Sequence, residues 1–205
     1  TVVCKPSELT PMTADLLMRV IEKVGLPAGV VNLIHGTGAE AGAPLVEHKD
    51  VRFVSFTGGT ATGAIVARAA AGSFKKLSLE LGGKNATIIL DDCDLDRHMD
   101  AIVRASYLNQ GQVCLCGSRI LVHSSIKDTF TRRFVDTVEH LQIGDPSDDS
   151  TELGSLISKE HLNKVQSYVS LAIEEGGELL TGGEVPCLPQ AFEGGNWITP
   201  VVIDG

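Results

Sequence analysis

The chain has 205 residues, 43% of them hydrophobic, and 17 Lys and Arg against 26 Asp and Glu give a formal net charge of −9 at pH 7. That length and apolar content support one domain or two small lobes around a real core. An acidic chain without a Lys/Arg cluster lacks the footprint of a nucleic-acid or anionic-membrane partner, and its longest apolar runs are strand-sized.

Five cysteines at irregular spacing argue for reduced thiols and an intracellular, cytoplasmic setting. Thr1-Val2-Val3-Cys4 runs straight into Lys5-Pro6 without a signal-peptide pattern. With no initiating Met and a β-like run at each end, the chain is expected to be an internal piece of a longer polypeptide.

Thr1 to Cys4 reads as a buried strand. Thr10-Pro11 predicts an N-cap and first helical residue, and Leu16, Leu17, Val20, Ile21 and Val24 recur at helical spacing until Gly25 and Pro27. Val30 to Ile34 is a second strand, and Gly36-Thr37-Gly38 leads into a short helix through Ala43, Leu45 and Val46. Val51 to Phe56 predicts a third strand, Ala61 to Ala71 a helix, and Lys75 to Leu79 a fourth strand. Alternation of strands and helices across short glycine turns predicts an α/β fold with a parallel sheet covered on both faces.

Gly82-Gly83 is the expected boundary between lobes, and the pattern then restarts. Ala86 to Leu90 is a strand, and Leu95 to Leu108 a helix opened by Asp91, Asp92 and Asp94 at its positive end. Arg119 to His123 is a strand, and Ser125-Ile126-Lys127-Asp128 has capping-box spacing before a helix to His140. Ser158 opens a helix to about Glu175, and Glu178 to Thr181 and Trp197 to Ile203 complete the predicted strands.

Four stretches carry chemistry. Asn109-Gln110-Gly111-Gln112-Val113-Cys114-Leu115-Cys116 sets a cysteine in a short turn before a strand, a setting whose amides favour a thiolate nucleophile. A core thiol is the equal alternative for this stretch alone, while C-x-C without a second ligand pair does not make a zinc site. Phe56-Thr57-Gly58-Gly59-Thr60-Ala61-Thr62-Gly63 is a strand-to-helix turn, either a phosphate cradle or a plain tight turn. Lys5-Pro6-Ser7-Glu8 ends the first strand, where Lys and Glu either hold ribose hydroxyls or form the simpler solvated ion pair. Leu79-Glu80-Leu81-Gly82-Gly83-Lys84-Asn85 places Glu80 at a strand end, where burial would raise it toward a general base; pairing with Lys84 is the other reading.

Together and in this order, these four motifs resemble the aldehyde dehydrogenase superfamily over essentially all of the chain. Ile157-Ser158-Lys159-Glu160-His161-Leu162 and Cys114-Leu115-Cys116 resemble most its 2-aminomuconic semialdehyde dehydrogenase-like branch. The resemblance implies part of a Rossmann-like NAD-binding domain over residues 1–81, then most of an α/β catalytic domain over 82–205, incomplete at its C-terminus.

It further implies NAD-dependent oxidation of an aldehyde to a carboxylic acid. Cys114 matches the nucleophile that forms a thiohemiacetal and then a thioester, and Glu80 the base that activates the hydrolytic water. Lys5 and Glu8 match adenosine-ribose contacts, and the Glu8 carboxylate favours NAD over NADP. Gly38 fits the adenine-side turn; Gly58, Gly59 and Gly63 fall in the pyrophosphate region; and Leu81 matches a backbone contact to the nicotinamide amide. His161 and Lys164 match a nicotinamide-ribose position. No metal is implied, and the full-length protein is expected to be a cytoplasmic homodimer or homotetramer with a small aldehyde substrate.

The family turn commonly reads F-T-G-S, so Gly59 removes one hydroxyl contact to phosphate and leaves the backbone amide. The family's oxyanion asparagine and its E-x-F-G-P segment match nothing in the chain, so the isolated fragment is expected to be inactive. Two alternatives stand beside this reading: a non-catalytic binding or structural protein of the same fold, and a CoA-acylating enzyme. Keeping both Cys114 and Glu80 speaks against the first, and Glu80 speaks for hydrolysis over acyl transfer to CoA.

Overall fold

A computed structural model describes all residues, Thr1–Gly205, as two compact units, Thr1–Gly82 and Gly83–Gly205. In the first unit, β1 (Val2–Cys4) pairs in parallel with β2 (Val31–Leu33) in the register Val2 to Val31. The strand predicted at the start is therefore present, but it is not buried: Val2 and Val3 are 54% and 43% exposed. Helix α1 (Met12–Lys23) connects the two strands, flanked by Pro11 in a helical conformation and without a capping side chain, so Thr10 does not cap it. Its stop follows the sequence: Gly25 adopts φ +74°, the left-handed geometry that ends helices.

A π-helical turn, Gly38–Gly42, capped by the Thr37 side chain on the Glu40 amide, runs into α2 (Ala43–Glu47). Strand β3 (Phe53–Gly58) pairs in parallel with β4 (Lys76–Leu81) over six residues, and α3 (Thr60–Ala71) crosses between them. Gly63, Val66 and Ala70, at i, i+3 and i+7, form the buried stripe of α3. Gly63 permits close approach, because a Cβ there would lie 2.6 Å from Leu81 Cδ2.

The second unit holds the main core. Strands β5 (Ala86–Ile89) and β6 (Arg119–Val122) are parallel, joined by α4 (Leu95–Tyr107). Asp94 caps α4 by accepting from the Arg97 amide. Helix α5 (Lys127–Glu139) adds Phe130, Phe134 and Val138 to Leu95, Met99, Ile102 and Val103 of α4 and Ile89 of β5. The Phe130 and Phe134 rings stack at 5.4 Å, and each such side chain contributes about 1.5–3 kcal/mol by leaving water.

The capping box expected before α5 does not form. The His123 ring accepts from the Ser125 amide instead, and a 3-10 turn over Ser124–Ile126 precedes the helix. Helix α6 (Lys159–Glu174) is capped as predicted, with Ser158 Oγ accepting from the His161 amide.

Strands β7 (Glu178–Thr181) and β8 (Val202–Asp204) pair antiparallel across an irregular register. The strand expected from Trp197 shortens because residues before Val202 bond elsewhere: the Gly183 amide donates to Thr199 O and the Thr199 amide to Glu184 O. The α/β class holds, as three parallel strand pairs and the antiparallel β7–β8 pair, with Phe53, Ile88 and Leu121 exposed rather than covered on both faces. No helix is long and apolar enough to cross a membrane.

Candidate active site

The turn that carries Cys114 is built by an abrupt end to α4. After Tyr107 the chain takes a 3-10 turn, Leu108–Gly111, in which Asn109 (φ 53°), Gln110 (φ 57°) and Gly111 (φ 70°) are all left-handed. Glycine adopts this region freely and asparagine tolerates it, while for glutamine it costs about 1–2 kcal/mol. Two side-chain contacts offset the cost. Gln112 Oε1 accepts from the Ile157 amide at 3.2 Å, and Gln110 Oε1, with its side-chain amide oriented by the surrounding donors, accepts from the Gly154 amide at 2.7 Å. The Gln110-Gly111-Gln112 triplet thus fastens the cysteine turn to the segment that leads into α6.

The turn then closes on itself. The Cys116 amide donates to Val113 O at 3.1 Å and the Gly117 amide to Ala105 O at 3.0 Å. Buried Ser106 places Oγ 3.2 Å from Gly117 O and 3.1 Å from Ile102 O, locking the far leg against α4. Gly117 lets the turn pass close to β5: a Cβ there would sit 2.1 Å from Thr87 Oγ1, so a side chain would have to turn that hydroxyl away. On the near side, Asn85 Nδ2 donates to Cys114 O at 2.6 Å and lies 3.4 Å from Cys116 O.

The two cysteines therefore differ in kind. Cys114 is exposed beside the exposed Leu115, whereas Cys116 is buried, with Sγ 3.8 Å from Leu108 O. The amides of Cys114 and Leu115 donate to no protein acceptor. A thiol at the crest of a turn with uncommitted N–H groups suits addition to a carbonyl, whose developing oxyanion those groups can meet. Of the remaining thiols, Cys93 packs against the core and Cys187 is exposed.

In the first unit, Lys5 follows β1 with its stem on Gly42, its Cε 3.6 Å from where a Cβ would stand. Its Nζ donates to Pro6 O at 2.6 Å and Gly36 O at 3.1 Å, and lies 3.6 Å from Glu8 Oε2. Lys5, Glu8 and the turn that begins at Gly38 are thus neighbours, an assembly the motif alone did not reveal. Gly58 ends β3 and Gly59 flanks α3 without any capping side chain, so the first amides of this helix face outward unpaired. A Cβ at Gly59 would meet nothing within 4 Å, so the turn is open there. Gly63, by contrast, is buried against Leu81 and serves the helix–strand contact.

Glu80 lies within β4, opposite Thr57, and is exposed; the burial expected from its apolar surroundings is not found in this unit. Strand alternation explains the difference, since Leu79 and Leu81 point to the other face. Lys164 is exposed one turn beyond His161 on α6, where burial, with the charge of Lys164 adding to it, lowers the His161 pKa. No group of three or more His, Cys, Asp or Glu is placed to hold a metal ion.

Asn85, Gln110 and Gln112 stand in the sequence motifs without an assigned role, and Ser106 stands outside them. Their place in those motifs was the signal that could have found the first three. Their partners lie up to 45 residues away along the chain.

The α/β fold thus carries an exposed cysteine on a braced turn in the second unit and an open, glycine-led helix start in the first. Residues 1–205 match the aldehyde dehydrogenase family model over their whole length, and the chain belongs to that family. It is 47% identical over 207 residues to the 2-aminomuconic semialdehyde dehydrogenase of Danio rerio, covering 100% of this chain and 42% of that protein. It is also 47% identical over 206 residues to the 2-hydroxymuconic semialdehyde dehydrogenase of Pseudomonas sp. (strain CF600), again 100% of this chain and 42% of the other. Among solved structures it superposes on betaine aldehyde dehydrogenase of Staphylococcus aureus in complex with NAD+ with TM-score 0.94 and 43% identity, over 99% of this chain and 40% of that one. HpcC of Thermus thermophilus superposes with TM-score 0.94 and 42% identity, over 100% of this chain and 40% of that one. The chain thus spans about two-fifths of the length of the relatives it matches.

Proposed function

We propose that this chain is the nucleophile-bearing portion of an NAD-dependent aldehyde dehydrogenase that oxidises an aldehyde to a carboxylic acid. The observation that carries the reading is the contrast within one turn: Cys114 exposed and braced, Cys116 two residues on buried. On this reading residues 1–81 belong to the cofactor-binding domain and residues 82–205 to the catalytic domain. The five free thiols support a cytoplasmic setting, and family membership supports a homo-oligomer of the complete polypeptide.

The residues present fit NAD. The uncapped start of α3 after Gly58 and Gly59 offers backbone donors and a positive dipole end to a diphosphate. Lys5 and Glu8 supply a donor and an acceptor for ribose hydroxyls, and the carboxylate disfavours a 2′-phosphate. Gly38 would lie on the adenine side, and Leu81 and Lys164 on the nicotinamide side. When bound, NAD supplies the two-electron acceptor. Cys114 adds to the aldehyde carbon, giving a thiohemiacetal, and retains the acyl group as a thioester once the aldehyde is oxidised. The free amides of Cys114 and Leu115 favour the oxyanion in both additions. Glu80, at the end of β4, takes a proton from the water that hydrolyses the thioester.

The names of the relatives make muconic-type semialdehydes the first substrates to try. The test is NADH formation by the complete enzyme with a panel of semialdehydes and simple aldehydes, with and without CoA. Acid product without CoA supports the reading. An acyl-CoA product, or no NADH with any aldehyde, overturns it.

A further inference from the structure

Asn85 lies 29 residues before Cys114, at the entry to β5, and its side chain reaches the cysteine turn. Its backbone is fixed independently: the Arg119 amide donates to Asn85 O at 3.2 Å, and Arg119 Nε donates to the preceding Lys84 O at 3.0 Å. The side-chain amide therefore starts from a rigid point. From there Nδ2 donates to Cys114 O at 2.6 Å and also lies 3.4 Å from Cys116 O.

We propose that Asn85 is a positioning residue for the nucleophile, holding the Cys114–Leu115 peptide so that the Cys114 side chain and the Leu115 amide keep the orientation that the reaction uses. This rests on the reading of Cys114 as the nucleophile. The peptide plane is rigid, and in a trans peptide the N–H points opposite to the C=O. Fixing the Cys114 carbonyl toward Asn85 directs the Leu115 N–H away from it, toward the open side of the turn. A carbonyl that accepts a hydrogen bond also strengthens the N–H of the same peptide as a donor. The second contact, to Cys116 O, anchors the leg of the turn that keeps Cys116 buried.

No other side chain donates to the Cys114 carbonyl. The left-handed run Asn109–Gly111 sets where the turn begins and Gly117 where it ends, but neither fixes the peptide after Cys114. Without Asn85 this peptide can rotate, and displacing a reacting atom by about 1 Å can cost on the order of 10² in rate.

The test compares Asn85→Ala and Asn85→Asp with wild type in the complete enzyme, beside Cys114→Ser. Asn85→Asp keeps the shape but removes the donor at neutral pH. Both variants should lose about 10- to 100-fold in kcat, with KM for NAD changed less than threefold. Iodoacetamide labelling read by peptide mass should show Cys116 reacting at least fivefold faster, while Cys93 is unchanged. A purely structural role would raise labelling at Cys93 and Cys116 together and reduce NAD binding, and that result overturns the proposal. So does a kcat within threefold of wild type in Asn85→Ala while Cys114→Ser is inactive. Turnover by Cys114→Ser would instead sink the nucleophile assignment on which the proposal rests.

Discussion

Gln112 Oε1 accepts a hydrogen bond from the Ile157 amide at 3.2 Å, joining the residue two before Cys114 to the residue just ahead of the Ser158 cap of α6. A helix that carries His161 and Lys164 is thereby referenced to the cysteine turn. Gln112→Ala should destabilise the chain by about 1 kcal/mol, the net worth of one such bond. Thermal unfolding should fall by roughly 2–4 °C, whereas Gln112→Glu, which still accepts, should lose less. Equal losses in both variants would show that the bond is not what the glutamine supplies.

Cys114→Ser should abolish turnover and leave NAD binding nearly intact, because serine forms no comparable anion near neutral pH. Cys116→Ser should retain most activity, since that thiol is buried against Leu108 O. Steady-state rates and NAD titration of the two variants check this. Retention of a tenth of wild-type turnover by Cys114→Ser would reject the assignment.

Glu80→Gln should slow acid release more than aldehyde oxidation, because the proposed proton transfer belongs to thioester hydrolysis. Stopped-flow absorbance should show a burst of NADH and then a slow steady state. A parallel fall of both phases would make Glu80 a structural residue of β4.

The order of strands and helices was legible because strand and helix periods alternate cleanly and glycines punctuate them. Gly25 at φ +74° and the Ser158 cap were visible as residue types. Competition between local partners was not. His123 takes the Ser125 amide that the Ser-x-x-Asp spacing assigned to a capping box, and Thr199 pairs with Gly183 and Glu184 instead of extending β8. In the site, Cys114 could be picked out by its motif, but the side chains that hold it could not. Asn85 and Gln112 act through backbone groups 29 and 45 residues away, and a carbonyl or amide has no sequence signature. The exposure of Glu80 was also hidden, since flanking leucines suggest burial when only every second residue faces inward.

Tyr107 supplies a prediction with a sign change. It ends α4 beside Phe134, and its hydroxyl donates to Val201 O at 2.9 Å. Burial raises its pKa well above the ordinary tyrosine value, because the phenolate would lose hydration and could not donate to the carbonyl. In the unfolded chain the hydroxyl ionises near pH 10. Below that pH both states hold the proton, and this group gives stability no pH dependence. Above it the unfolded state releases the proton and the native state does not, so stability falls by about 1.4 kcal/mol per pH unit from this group. Tyr107→Phe should therefore be less stable than wild type at pH 7 by about 0.5–1.5 kcal/mol, the loss of one hydrogen bond to a partly buried carbonyl. As pH rises beyond 10 the deficit should shrink and reverse, because phenylalanine has no proton to lose. Urea unfolding of wild type and variant at pH 7, 9, 10 and 11 reads this directly, and taking the difference cancels titrations common to both. A difference that stays constant across the series would mean that Tyr107 ionises equally well in the native state, and that its contact with Val201 is not closed to water.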